Sequence, residues 1–298
     1  MKLLVEPEGG IAPILNAIKH ARKTIEILIF RLDCRSVTRS LEAAVGRGVV
    51  VRVIIASKHR GGTRDLRKLE LRLLDAGAVV SRTADDLQRY HAKMMIVDWR
   101  LLHVYGFNYT RLDYKSRSFG ILTTNRTLVR EALKLFDADG TRRAYSSGSR
   151  DFVVSPENAR ERLSAFIRGA RRELLIYDPR LSDEAIHQLL TERASAGLDV
   201  RIIGKTPRLE STLKIEKYPG RRLHVRAIVR DGRHAFVGSQ SLGRVELDDR
   251  RELGVIVSDA RVVRELRSIF EHDWRRTQGV PEDVADIADP KWKRRLPA

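Results

Sequence analysis

Tyr90-His91-Ala92-Lys93-Met94-Met95-Ile96-Val97-Asp98, running on through Val104-Tyr105-Gly106-Phe107-Asn108, is the stretch from which the rest of the chain can be read. An apolar run broken only by His91 and Lys93 reads as a buried strand. Side chains alternate along a strand, so these two share one face. That face carries an imidazole beside a fixed cation, a pair suited to gripping and attacking a phosphate. Asp98-Trp99-Arg100 reads as a turn, and Leu101 to Phe107 as the returning strand of a hairpin.

The arrangement recurs. Arg222-Leu223-His224-Val225-Arg226-Ala227-Ile228-Val229-Arg230-Asp231 repeats the spacing, with Arg226 where Lys93 stood. Asp231-Gly232-Arg233 is the stronger turn signal, and Phe236-Val237-Gly238-Ser239-Gln240-Ser241 follows it. His91 to His224, Lys93 to Arg226, Asp98 to Asp231 and Asn108 to Ser241 are each 133 positions apart. Two copies in register make a strong signal where one would be weak.

These residues resemble the paired H-x-K-x4-D motifs of the phospholipase D superfamily. The first copy matches at His91, Lys93 and Asp98, then departs from the usual Gly-Ser-x-Asn as Tyr105-Gly106-Phe107-Asn108. The second has Arg226 for Lys, and Gly238-Ser239-Gln240-Ser241, which keeps Gly-Ser and loses the Asn. The resemblance spans both halves of the chain. It speaks for the superfamily and leaves the substrate open.

Other segments repeat too, which argues for a duplicated architecture. A helix from Ile14 leads into the strand Ile25–Ile29, as Leu163–Ile167 leads into Leu174–Tyr177. A helix over Val37 to Val45 precedes the Val-rich strand ending at Ile55; its partner is Glu184 to Arg193, then a strand ending at Ile203. Gly48 and Gly197 stand 149 positions apart before these strands, each reading as a helix C-cap. The second half is therefore 16 residues shorter between this strand and its His, which predicts a lopsided cleft. Helix–strand units followed by hairpins predict an α/β fold with a mixed sheet in each half. The resemblance implies two tandem phospholipase D-like α/β/α sandwich domains related by a pseudo-twofold, with the two His facing each other.

The domains are read as 1–140 and 152–278, joined by a polar Gly/Ser-rich linker over 141–151 whose approach begins at Asp137. Residues 279–298 read as a basic tail, laid on the surface or disordered. Each half is expected to hold its own core. Basic loops at Ser57–Arg64 and Lys205–Arg208 follow the Val-rich strands, where α/β sheets commonly line a ligand crevice.

Lys and Arg number 57 against 39 acids, a net charge of +18. Such an excess attracts polyanions: nucleic acid, an anionic membrane surface or phosphorylated substrates. No apolar run is long enough to span a bilayer, and no signal-peptide core precedes the first acid. The lone Cys34 reads as a buried bystander in a reducing compartment. The expected location is cytoplasmic, with peripheral contact at the inner membrane face, and the expected state is a monomer carrying both motifs.

Cleaving a phosphodiester with side chains alone takes a nucleophile, an acid for the leaving group, and cations for the non-bridging oxygens. Two imidazoles, with pKa values ordinarily near 6.5, supply the first two. Lys93 and Arg226, with Asn108 and Ser241, are expected to hold the phosphate oxygens, and Ser239 to support them. Asp98 and Asp231, at the hairpin turns, are expected to brace the motif. No metal or cofactor is implied. By resemblance, His91 is the nucleophile and His224 the acid. Yet Glu252 lies in the same half as His224, while Ser118 takes the aligned place in the first half. That points to His224 as the better-oriented base, and the roles stay open.

Three readings follow. The first is a phospholipase D or cardiolipin synthase-like enzyme, working on phospholipid headgroups through a phosphohistidine. The second is a metal-independent nuclease or DNA phosphodiesterase. The third is a catalytically degenerate polyanion-binding protein.

Overall fold

The computed structural model describes residues 1–57, 64–207, 212–220 and 222–279. The first half runs β1 (Lys2–Glu6), α1 (Ala12–His20), β2 (Thr24–Ile29), α2 (Arg35–Gly46), β3 (Val50–Ile55), α3 (Arg64–Asp75), β4 (Val79–Arg82), β5 (Arg89–Tyr90), β6 (Met94–Val97), β7 (Leu101–Tyr105), β8 (Ser118–Thr123) and α4 (Arg126–Thr141), with a 3-10 turn at Asp113–Lys115. The second runs β9 (Phe152–Ser155), α5 (Ala159–Arg168), β10 (Glu173–Asp178), α6 (Glu184–Ser195), β11 (Asp199–Gly204), β12 (Lys214–Glu216), β13 (Arg226–Arg230), β14 (His234–Gly238), β15 (Arg250–Val257) and α7 (Ala260–Thr277).

The first sheet has the order β1-β8-β7-β6-β2-β3-β4, and the second β12-β11-β10-β13-β14-β15-β5, with β9 also on β15. Both are mixed: β2, β3 and β4 run parallel, as do β10, β11 and β12, while the hairpins are antiparallel. The Val-rich strands are started by glycines in the left-handed region, Gly48 at φ +85° and Gly197 at φ +89°, which end α2 and α6 without a Cβ clash. The duplication extends to helix caps. Asn125 accepts from the amides of Thr127 and Leu128 to start α4, and Asp259 from those of Arg261 and Val262 to start α7.

Each half is an α/β/α sandwich. Ile14, Ile18, Val37, Leu41 and Leu73 bury the outer face of the first sheet. Leu163, Phe166, Ile186 and Leu190 do so for the second. The inner faces share a third core, in which Leu128, Leu135 and Phe136 of α4 and Val262, Leu266 and Phe270 of α7 pack with strand residues from both sheets. Each half therefore has a core of its own on its outer face, and the largest apolar cluster, in addition, joins the halves and is withdrawn from water only when they meet.

Two further expectations change. The single strand predicted over Tyr90–Asp98 is broken in two. β5 leaves the first half and pairs in parallel with β15, while β6 returns to the first sheet, so His91–Lys93 lie on the crossing between sheets. Asp137 to Gly140 are not linker but the end of α4. The length difference between halves is the helix α3, with no helical counterpart between β11 and β13 among the described residues. Residues 58–63 of one basic loop, Arg208 of the other, and the tail beyond Gly279 lie outside the described residues.

Candidate active site

The histidines are placed by backbone pairing across the halves. The His91 amide donates to the Arg251 carbonyl (2.7 Å), and that of His224 to the Arg117 carbonyl (2.9 Å). The two contacts are equivalents, since Arg117 and Arg251 stand 134 positions apart. Each arginine then reaches into the other half. Arg117 binds Asp273 of α7 (3.2 Å), and Arg251 binds Asp139 of α4 (3.0 Å). Between them the ends of the hairpin strands touch: a Cβ on Gly106 would come 2.9 Å from the Gly238 carbonyl oxygen. All of these groups lie at the seam, where each half completes the other.

At His91, the ring Nδ1 lies 2.9 Å from both oxygens of Glu252 and 2.7 Å from Lys93 Nζ. The Ser239 hydroxyl donates to Glu252 (2.5 Å), and Phe30 meets the imidazole edge-on with centroids 4.5 Å apart. Lys93 and Glu252 are fully buried, and His91 is 9% exposed. Burial pushes His91 down to about 4 and Lys93 to about 7, with Glu252 pulling both the other way. Burial alone would raise Glu252, but His91, Lys93 and Ser239 hold it at about 2, so it is an anion at neutral pH.

At His224, the partner is a residue that the sequence reading did not single out. Asp113 Oδ1 lies 2.7 Å from its Nδ1. Asp113 accepts hydrogen bonds from Thr110 (2.6 Å), Asn108 (3.0 Å) and Arg222 (3.0 Å). Burial would raise this carboxyl, but His224 and the hydrogen bonds hold it far below the usual range. Burial, then Arg226, pushes His224 down to about 3. The pairing of Glu252 with His224 is thus corrected: Glu252 crosses the seam to His91, and His224 takes a carboxylate from the loop after β7.

The supporting residues are redistributed as well. Asn108 and Ser239, expected near phosphate oxygens, hydrogen-bond to the carboxylates Asp113 and Glu252. Arg226 is gathered at His224, donating to the Ser241 hydroxyl (3.0 Å) and the His224 carbonyl (3.1 Å). The fields of the two clusters overlap, since Lys93 is repelled by Arg226 and attracted by Asp113. Asp98 and Asp231 stand at the far turns. Asp98 accepts from the amides of Arg22, Lys23 and Thr24, and Asp231 from those of Arg171, Arg172 and Glu173. They tie each hairpin to the strand beside it.

Among the described residues, no group of three or more His, Cys, Asp or Glu is set to hold a metal, and no helix is long and apolar enough to cross a membrane. Phe30 and Asp113 are the site residues the sequence reading missed. A search for an acid near Asn108, rather than only at the position aligned with Glu252, would have found Asp113.

Comparison with known proteins adds the following. Residues 14–139 and 163–274 match the family described as cardiolipin synthase, PLD-like domain, a segment in each half. The mitochondrial cardiolipin hydrolase of Mus musculus is 26% identical over 133 residues, 45% of this chain and 57% of that protein. Polyphosphate kinase from Porphyromonas gingivalis superposes with a TM-score of 0.76 at 19% identity, over 92% of this chain and 47% of the other. Phosphatidylserine synthase from Haemophilus influenzae gives 0.66 at 10% identity, over 93% and 86%. The chain thus spans about half the length of the first two, and the likeness to the two solved structures is one of fold.

Proposed function

The chain belongs to the cardiolipin synthase, PLD-like domain family of the phospholipase D superfamily, and from that membership we propose that it is a phosphodiesterase or phosphatidyltransferase working through a phosphohistidine on phospholipid headgroups. The observation that carries the proposal is the pair of buried imidazoles, each with Nδ1 against a carboxylate and each beside a cation, brought to one seam by opposite halves.

Glu252 favours the His91 tautomer with hydrogen on Nδ1, which leaves the Nε2 lone pair to attack phosphorus. The P–N bond forms as the bond to the leaving oxygen breaks, and His224 gives its Nε2 proton to that oxygen. Water or an acceptor alcohol then gives its proton to His224 and attacks phosphorus, the P–N bond breaks, and the lone pair returns to His91. Lys93 and Arg226 offset the charge on the phosphoryl oxygens in both steps. With both imidazoles neutral in the empty site, the arriving phosphate anion is what draws a proton onto His224.

The lipid reading is supported by the family's description and by the name of the mouse relative. Its net charge of +18 draws the protein to anionic headgroups, so the contact is proposed as peripheral, at the inner face of the membrane, with a single chain supplying the whole site. The same charge supports a nuclease as the second reading. Labelled phospholipid vesicles and labelled DNA, incubated side by side in EDTA with His91→Ala and His224→Ala as controls, separate the two. Headgroup release or transfer, lost in both variants, is the expected result. Cleavage of DNA alone moves the substrate to nucleic acid. Salt-sensitive binding without turnover of either makes the protein a non-catalytic polyanion binder.

A further inference from the structure

The rim of the site carries two pairs of arginines related by the duplication. Arg31 and Arg180 stand 149 positions apart, the spacing of the Val-rich strands, and Arg111 and Arg244 stand 133 apart, the spacing of the histidines. Arg31 follows Phe30, whose ring meets His91, and its carbonyl accepts from the Tyr109 amide, which brings the loop of Arg111 beside it. Arg111 comes two residues before Asp113, whose carboxylate faces His224. In the second half, Arg180 comes two residues after Asp178, a carboxylate acting on Arg226, and Arg244 three residues after Ser241, to which Arg226 donates. All four are exposed, and among the described residues none of their guanidinium groups has a partner. Next to Arg111, Leu112 is 56% exposed, while the rings of Phe30, Tyr90 and Tyr109 are buried.

From this arrangement we infer that the rim is a docking surface for an anionic phospholipid bilayer. The four guanidinium groups take lipid phosphates on both sides of the seam, and Leu112 enters the boundary between headgroups and acyl chains. A guanidinium grips a phosphate bidentately, and each cation close to a membrane surface adds to binding. A leucine set among them adds buried apolar area. A nucleic-acid strand would instead call for exposed rings on which bases stack, and the rings here are withdrawn from the surface. A bilayer held this way lies over the opening and presents its headgroups to the two imidazoles.

The inference rests on the lipid reading for its purpose, but docking can be measured without turnover. Flotation of the full chain is compared on vesicles of phosphatidylcholine alone and on vesicles in which about a third of the lipid is phosphatidylglycerol. Arg31→Ala with Arg180→Ala, and Arg111→Ala with Arg244→Ala, are set against Arg22→Ala with Arg171→Ala. That last pair is also exposed and 149 positions apart, but lies at the far turns, where both backbone amides bind the turn aspartates. Each rim pair is expected to weaken binding to the anionic vesicles by about 30-fold, and the far pair by less than about 3-fold. Leu112→Ser is expected to weaken it at low and high salt alike, whereas the arginine losses shrink as salt rises. Equal losses from rim and far pairs, or wild-type binding in every rim variant, would overturn the inference. So would rim variants that keep the vesicles and lose a single-stranded oligonucleotide, which moves the surface to nucleic acid. A wild type that docks through the rim and turns over no phospholipid keeps the docking surface and removes the lipid-enzyme reading; lipid turnover without rim-dependent docking does the reverse.

Discussion

Glu252 reaches His91 across the seam between the halves, both carboxylate oxygens 2.9 Å from Nδ1 of a ring 161 positions earlier in the chain. Glu252→Gln keeps the shape and removes the charge that fixes the tautomer. The expected result is a fall in kcat of roughly 100-fold or more with the fold retained, read by single-turnover trapping of phosphohistidine. Undiminished trapping would mean that His91 needs no orienting anion.

Lys93 is fully buried, and its ammonium is pushed down to about 7 by burial, with Glu252 pulling the other way. As pH rises through that value the empty site loses its cation, so kcat/KM is expected to fall above pH 7. Bound phosphate restores the proton, so the limb in kcat lies higher. Lys93→Arg keeps a charge at all these pH values and should abolish the limb. A limb that persists in this variant belongs to another group.

The stability profile follows from opposed shifts. His91, His103 and His224 are pushed down by burial to between about 3 and about 4, so below pH 6.5 the unfolded chain binds protons they refuse, and stability is lost on acidification. Burial raises Glu6 to about 8, Asp139 to about 7 and Asp178 to about 6, which adds stability over the same range as protons bind the folded form. The two sets offset each other. Denaturant titrations should show near-level stability from about pH 4.5 to 6.5 and a steep loss below it, where the depressed Glu252 and Asp113 join the histidines. Glu6→Gln removes one compensating group and should expose a decline beginning near 6.5. An unchanged profile in that variant would refute the account.

Gly106 sits where the two hairpins meet. An added Cβ would stand 2.9 Å from the Gly238 carbonyl oxygen and 3.1 Å from that of Phe119, both backbone atoms that cannot swing aside. Gly106→Ala is expected to cost about 1–3 kcal/mol and to lower turnover by spreading the seam. A denaturation midpoint equal to that of the wild type would show the contact to be slack.

The crossed ion pairs make a further prediction. Arg117→Met takes the cation from Asp273, which keeps the Tyr177 hydroxyl as a donor (2.7 Å), and Arg251→Met takes it from Asp139; each carboxylate is 2% exposed or less. Losing one partner of a buried pair costs about 3–5 kcal/mol. Burial already raises Asp139 to about 7, so it can take up a proton once Arg251 is gone. Arg251→Met should therefore cost less at pH 6 than at pH 8, as compared by denaturant midpoints.

The duplication, the order of helices and strands within each half, and the hairpin turns could be read from local pattern. Registered spacings such as Asp98 with Asp231 report backbone geometry, and each of these carboxylates caps its neighbouring strand. The partner of each imidazole could not be read this way. The alignment of repeats assigned Glu252 to the histidine of its own half, whereas the folded chain exchanges partners. Asp113 escaped notice because an acid was sought only at the position aligned with Glu252. The break after Tyr90 escaped because an apolar run looks the same whether it stays in one sheet or passes between two.

That short excursion of β5 onto the opposite sheet has a consequence for what a fragment could do. Residues 89 and 90 are borrowed by one lobe from the other, and the imidazole next in line is brought to its carboxylate by the loan. A chain severed within the linker would yield two pieces with exposed apolar faces and misdirected rings. Reactivity would return only on reassociation, with the recovered rate counting the reunited pairs.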